Sequence, residues 1–323
     1  MNDSDKKINI AICLSGEPRN WELGADSIKI FKQNLENYCN IDVFYHFWDD
    51  VTKRQRHLIE DPIYKKIDSK ILLDNYTPTV GVCAPKSTLD PHIDDMWNHI
   101  QEHIKKYNFT PNQCIKSLLR CTPDELAKTN FSLKEAFYHK IKTTNSPPFS
   151  QLVTVCKSLL IMLDYAESKK VTYDIIIKSR SDVIIKPISI KRINSVLKKE
   201  HYKRYIKFPS LSTRTPRHCN PDRHTPHVDY SFFVGSSHTI KRSMFNNYSR
   251  RLAELLIQVN NPNGKASCFI HNSSHNCMPR LFKDETTDLD TKGGHVILGA
   301  PCTPFGYKLQ QMDYDLNSKK LWE

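Results

Sequence analysis

Tyr173-Asp174-Ile175-Ile176-Ile177-Lys178-Ser179-Arg180-Ser181-Asp182-Val183 is the stretch on which the fold turns. Three consecutive isoleucines between polar ends are too short for a helix and too apolar for a surface strand. They predict a buried strand over Tyr173–Lys178, of the kind found in parallel sheets. Immediately before it, Leu152, Val155, Cys156, Leu159, Met162, Leu163 and Ala166 recur at helical spacing. A helix therefore runs through Ser168 into the strand, entered at Pro147-Pro148-Phe149-Ser150, with Ser150 as its expected N-cap. After the strand come Ser179-Arg180-Ser181-Asp182 and a second apolar run, Val183–Ile185. Asp182 thus stands where a buried strand emerges from the sheet, the edge at which open α/β sheets bind ligands.

Working outward, Ile8 to Ser15 (INIAICLS) reads as a buried strand stopped by the turn Ser15-Gly16-Glu17-Pro18. Ile28, Phe31, Leu35 and Tyr38 place an amphipathic helix over Gly24–Tyr38, and Ile41–Trp48 (IDVFYHFW) is rich in β-branched and aromatic residues. Strand, helix and strand at this spacing form a βαβ unit with parallel pairing. Residues 51–148 are polar, with helices expected around Ile93–Tyr107 and Leu133–Lys142 and no strand alternation. They read as a helical insertion between two parts of one core, 1–50 and 149–240. A short basic helix is expected over Ser189–Glu200, and strands over Tyr205–Pro209 and Tyr230–Gly235. The remainder, 241–323, reads as an extension holding one helix, Ser243–Gln258. The whole is expected to be a single domain.

Composition narrows the function. The 323 residues are 39% hydrophobic with 14 Phe, 14 Tyr and 4 Trp, enough for a sizeable core. Only 9 Gly are present, and neither GxxxxGK[ST] nor GxGxxG occurs, which removes two common phosphate cradles. The polar Met1–Asn9 start and the short apolar run after it do not make a signal peptide, and no run approaches the ~20 apolar residues of a spanning helix. A cytosolic protein is expected. Ten cysteines without a CxxC pair suit free, mostly buried thiols in a reducing compartment. The excess of 47 Lys+Arg over 35 Asp+Glu, a net +12, points to polyanionic partners without choosing among them.

Four segments, in order, resemble one family. Arg180-x-Asp182 looks like the metal-binding DxD motif of GT-A glycosyltransferases, with the first acid replaced. It is similar to the "RxRxD" strand ends of sugar transferases from bacterial and viral surface-polysaccharide clusters. Leu14-Ser15-Gly16-Glu17-Pro18-Arg19 resembles that group's opening "SGQxR" turn. Asp42-Val43-Phe44-Tyr45-His46-Phe47-Trp48 resembles its "DVFxHxW" strand, and Asp229-Tyr230-Ser231-Phe232-Phe233-Val234-Gly235 its "DxFxxG" strand. The likeness covers the first fifty residues and roughly Ser150 to Ser237. It implies an α/β GT-A fold with a mostly parallel central sheet. It also implies transfer of a sugar from a nucleotide-diphospho-sugar to a glycan or lipid-linked acceptor.

On that resemblance the donor site would gather Ser15, Gly16, Arg19, His46, Gln151 and Arg180 around a Mn2+ or Mg2+ ion held by Asp182. Gly16 would allow close backbone approach, and Arg19 offers a guanidinium fork to a phosphate. Arg180 in place of the first acid leaves Asp182 alone on the metal, or meets diphosphate charge directly. Asp182→Ala is then expected to abolish transfer and leave the fold intact. Asp229 is the candidate general base of an inverting reaction, and a retaining reaction would need none. A tail histidine, His275 or His295, could complete the metal shell. The set Cys268, His271, His275 and Cys277 otherwise suggests a zinc site of unusual spacing.

Each residue also has a plainer role. Asp182 could cap a turn, Asp229 could cap its strand or position sugar hydroxyls without proton transfer, Arg19 could be solvated, Trp48 could be core, and Ser150 could cap its helix. The basic cluster Lys186, Lys191, Arg192, Lys198, Lys199, Lys203, Arg204 and Lys207 is either a solvated face or a means of peripheral attachment to an anionic membrane. No signature of nucleic-acid binding supports a third use. A nucleotidyltransferase, or a non-catalytic binder of nucleic acid or anionic polysaccharide, are the rival functions.

Overall fold

The computed structural model describes residues 7–53, 63–106, 108–112, 114–115, 131–142, 147–185, 188–198, 233–237, 240–241, 258–260, 265–267 and 306–308. Its centre is a five-stranded sheet built from β1 (Ile8–Gly16), β2 (Cys39–Trp48), β5 (Val80–Ala84), β6 (Ile175–Ser179) and β8 (Phe233–Gly235), in the order β5-β2-β1-β6-β8. The first four strands are mutually parallel and β8 pairs antiparallel to β6. A short pair, β3 (Asp50–Lys53) and β4 (Ile63–Lys66), follows β2.

Alternation along the strands sends side chains into two separate cores. Ile10, Ile12 and Leu14 of β1 join Val43, Tyr45 and Phe47 of β2 and Ile175 and Ile177 of β6 on one face. Two helices complete that core, α1 (Trp21–Leu35) through Ile28, Phe31 and Leu35, and α2 (Ser69–Tyr76) through Leu72 and Tyr76. The strand β7 (Val183–Ile185) and the helix α6 (Ile190–Leu197) add Val183, Ile185 and Ile193. The opposite face carries Ala11, Cys13, Phe44, Trp48 and Ile176. These pack against α3 (Asp90–Lys106), α4 (Leu133–Lys142) and α5 (Pro147–Lys169), with Val155, Cys156, Leu159 and Met162 as the inner stripe of α5. Two cores on two faces are what a doubly wound α/β sheet requires. The chain is therefore an α/β protein with a mostly parallel central sheet, as its strand patterns predict.

Several details differ from the sequence reading. The segment 51–148 contributes β5, a full parallel strand of the central sheet, as well as helices. Its Val-Gly-Val-Cys-Ala pattern hides this, because Gly81 breaks the alternation. Glycine is needed there because the Tyr45 ring crosses it, and a Cβ at Gly81 would stand 2.4 Å from the Tyr45 ring. Helix α5 starts three residues before Ser150. Proline is tolerated in a first helical turn because those N–H groups need no intrahelical acceptor. Ser150 is therefore not the cap; its hydroxyl accepts from the Trp48 indole at 3.0 Å. Gln258 lies in a strand, β9 (Gln258–Asn260), rather than a helix end; β9 pairs with β10 (Lys265–Ser267). A last strand, β11 (Gly306–Lys308), pairs antiparallel with β7. The proposed strand Tyr205–Pro209 lies outside the described residues. Cys13, Cys39, Cys83 and Cys156 are free, but Cys114 is disulfide-bonded, against the expectation for this chain. Sequence spacing alone does not reveal such a pairing.

Candidate functional site at the switch of the sheet

Strand order decides where a ligand can sit. From β1 the chain leaves through α1 on one face to β2, whereas β6 is reached through α5 on the opposite face. The connections therefore diverge between β1 and β6 and leave a crevice outside their carboxyl ends. Two short loops line it. One is Gly16-Glu17-Pro18-Arg19-Asn20, after β1; the other is Arg180-Ser181-Asp182, after β6.

The first loop turns on Gly16, whose φ of 105° is one that side-chain-bearing residues rarely adopt. Gly16 is buried, yet nothing stands within 4 Å of where a Cβ would point. Open space beside a buried glycine backbone is the room that a ligand's close approach uses. Asn20 then adopts the left-handed conformation and makes no side-chain hydrogen bond to the start of α1. Asn20 thus leaves the first-turn amides of α1 without a cap from its own side chain.

Ser181 joins the two loops. Its hydroxyl is shared between the carbonyls of Glu17 and Arg19, at 3.1 and 2.9 Å. On its other side the Ser181 carbonyl rests against Gly24 of α1, where a Cβ would come within 2.1 Å of that oxygen. The β6 loop is thereby seated on α1 by its backbone, with no freedom for a side chain between them.

Ion pairs organise the charged groups. Arg180 donates to both oxygens of Asp182, Nε to Oδ1 at 2.7 Å and Nη2 to Oδ2 at 2.5 Å. Arg19 donates from Nε and Nη2 to Glu17 Oε2, at 2.8 and 2.5 Å. Lys86, which follows β5, donates to Glu17 Oε1 at 2.8 Å and lies 2.9 Å from Asp50 Oδ1. Burial by itself would raise the Glu17 carboxyl pKa. The adjacent Lys86 and Arg19 charges and hydrogen bonds outweigh burial and hold it below its ordinary value.

A carboxylate depressed in this way stabilises the folded chain at pH values above its unfolded pKa, about 4.3. That contribution disappears as pH falls through the lower, folded value. Glu17→Gln is expected to cost about 2 kcal/mol at pH 7, because Lys86 and Arg19 lose a shared partner at a poorly solvated position. The deficit should shrink as the buffer is made more acidic than pH 4. Urea denaturation of both proteins at pH 7 and in acid checks this, and a deficit independent of pH would remove the ion pairs as its cause.

The other sequence-derived candidates divide by face. Ser15 and His46 are register partners on the α5 side of the sheet, both almost fully buried. His46 stands edge-on to Trp48 with ring centroids 5.4 Å apart, and Trp48 is a core residue. The Trp48–Ser150 contact brings the start of α5, and with it Gln151, to the same sheet edge. Gln151 Oε1 is buried and makes no hydrogen bond among the described residues. Lys178, buried in the same layer opposite Cys13, received no role in the sequence reading. Asp229 and His275, with His295 and the Cys268–Cys277 group, lie outside the described residues.

Glu17, Lys86, Ser181 and Gly24 also escaped the sequence reading. Glu17 and Ser181 sit inside the quoted motifs, but only the approach of β1 to β6 makes them partners. Lys86 had no local signal at all.

A divalent ion would meet an occupied donor set. Such ions take about six oxygen ligands, several of them carboxylate. Both Asp182 oxygens are already engaged by Arg180, and Glu17 and Asp50 are each matched by a cation. Among the described residues no three His, Cys, Asp or Glu side chains converge. The residues described here do not fit a preformed divalent-cation site.

Strand order and pairing define an α/β protein with a mostly parallel central sheet whose connections diverge between β1 and β6. No family model matches the chain, and no curated protein or solved structure is significantly similar to it.

Proposed function

We propose that this chain transfers a sugar from a nucleotide-diphospho-sugar to a glycan or lipid-linked acceptor, as a GT-A glycosyltransferase does. The observation carrying the reading is the crevice between β1 and β6. There an open glycine turn, an arginine from each loop and a helix start that the Asn20 side chain does not cap share one sheet edge. Phosphate groups suit such surroundings, because backbone amides and guanidinium forks both present hydrogen bonds to oxyanions.

In this reading the diphosphate lies along Gly16–Arg19 and Arg180, and the acceptor hydroxyl attacks the anomeric carbon as the nucleoside diphosphate departs. Charge then builds on the departing phosphate oxygen, and meeting that charge is the largest catalytic contribution of such a site. Arg19 and Arg180 are the cations placed to supply it. Asp229 remains the proposed base for the acceptor proton if configuration is inverted. The reaction would take place in the cytosol or at the inner face of a membrane, where lipid-linked acceptors reside. No helix among the described residues is long and apolar enough to cross a membrane.

Thermal-shift screening with UDP-, GDP-, CMP- and dTDP-sugars tests the proposal. One nucleotide class is expected to stabilise the fold, by about 2.7 kcal/mol at a hundredfold excess over its Kd. Absence of stabilisation by every donor, with steeply salt-dependent binding to nucleic acid instead, would replace this reading with that of a basic binding protein.

A further inference from the structure

We infer that the crevice takes a nucleoside diphosphate without a divalent cation, Arg180 exchanging the Asp182 carboxylate for phosphate oxygens; this rests on the nucleotide-sugar reading above. Arg180 holds Asp182 by a two-point contact, Nε to Oδ1 and Nη2 to Oδ2. A phosphate presents the same pair of oxygens to a guanidinium edge, so one anion replaces another in unchanged geometry. The carboxylate is then a stand-in that keeps the guanidinium charge matched and its plane set until the ligand arrives. Ser181 and Gly24 fix the loop carrying both groups, so the exchange needs side-chain rotation and no backbone movement.

A dication at Asp182 meets the opposite situation. It would have to take the oxygens that Arg180 uses, and it would face a guanidinium whose side chain is only 11% exposed. Glu17 and Asp50 offer no substitute, since Lys86 bridges them and Arg19 holds the remaining Glu17 oxygen. Placing another cation among these groups sets like charges together in a poorly solvated place.

The two roles of Asp182 predict opposite results for one conservative change. A metal ligand lost in Asp182→Asn weakens nucleotide binding; a competing anion lost in Asp182→Asn strengthens it. Calorimetric titration of the full chain with ADP, CDP, GDP, UDP and dTDP, in EDTA and again in Mn2+, reads both. One nucleotide is expected to bind with Kd unchanged within threefold between the buffers. Asp182→Asn should bind it equally or several-fold tighter in EDTA, and Arg180→Lys at least tenfold more weakly. A tenfold or greater loss of wild-type affinity in EDTA overturns the inference and leaves the transferase reading standing. Tenfold weaker binding by folded Asp182→Asn also overturns it. Failure of all five nucleotides to bind in either buffer overturns the inference and the transferase reading together. The wild-type comparison decides the matter even if a variant does not fold.

Discussion

On the proposed transferase reading, Arg180→Ala is expected to lower kcat/KM for sugar transfer by about a hundred- to a thousandfold, the cost of removing one preorganised charge donor from a departing oxyanion. Arg180 follows the carboxyl end of β6, whose neighbour β1 ends in the Gly16 turn, and its planar fork is held by Asp182. Preorganisation gives the group its value, because no dipole must reorient as charge develops. The same substitution leaves Asp182, a buried carboxylate, without its guanidinium, which should destabilise the fold by about 1–3 kcal/mol. Kinetics with the donor class found by thermal shift, at a temperature where circular dichroism shows both proteins folded, separates the two effects. Unchanged kcat/KM in folded Arg180→Ala would place the diphosphate elsewhere.

Gly24→Ala should act through packing and carries the opposite sign from its helix propensity. At an exposed position inside a helix such as α1, alanine would be more stable than glycine by about 1 kcal/mol. Here the added methyl would lie 2.1 Å from the Ser181 carbonyl oxygen and 2.9 Å from the Tyr76 hydroxyl. The carbonyl is backbone, and Tyr76 is committed by a 3.1 Å hydrogen bond to the Trp21 carbonyl. Neither can move without displacing the β6 loop or α2. A net loss of about 2–3 kcal/mol is expected, within the range for overpacked sites, lowering Tm by roughly 3–5 °C. Nucleotide affinity should fall with it, because the displaced loop carries Arg180. Asp26→Ala, on the exposed side of the same helix, provides the control and should stay within about 0.5 kcal/mol of the parent. Equal stability of Gly24→Ala and the parent would mean that the loop and α1 are not in rigid contact.

The β1, β2 and β6 strands and the helices α1 and α5 were legible because each buries a continuous apolar face. Burial of that kind writes its period into the residues. The edge strand β5 was not, since it is short, only partly buried and interrupted by Gly81 to admit Tyr45. The start of α5 was misplaced for a related reason. Serine has the chemistry of a cap, but Ser150 spends its hydroxyl on Trp48, a residue about a hundred positions away.

Within the candidate site, local motifs pointed to Gly16, Arg19, Arg180 and Asp182, which stand in the two loops at the carboxyl ends of β1 and β6. Their partners could not be read in the same way. Whether Asp182 faces a guanidinium or open solvent depends on side-chain torsions and on a loop seated against Gly24. Lys86 reaches Glu17 across the sheet edge from a segment with no motif of its own.

Taken alone, the amino-acid sequence determined an α/β fold and its parallel core strands. These follow from hydrophobic periodicity and turn chemistry, which act between near neighbours in the chain. Only the tertiary structure decided that each of the acids Glu17, Asp50 and Asp182 is matched by a cation, and that Ser181 ties the two loops together. Such pairings depend on distances between remote segments, and strand order, not local composition, sets those distances.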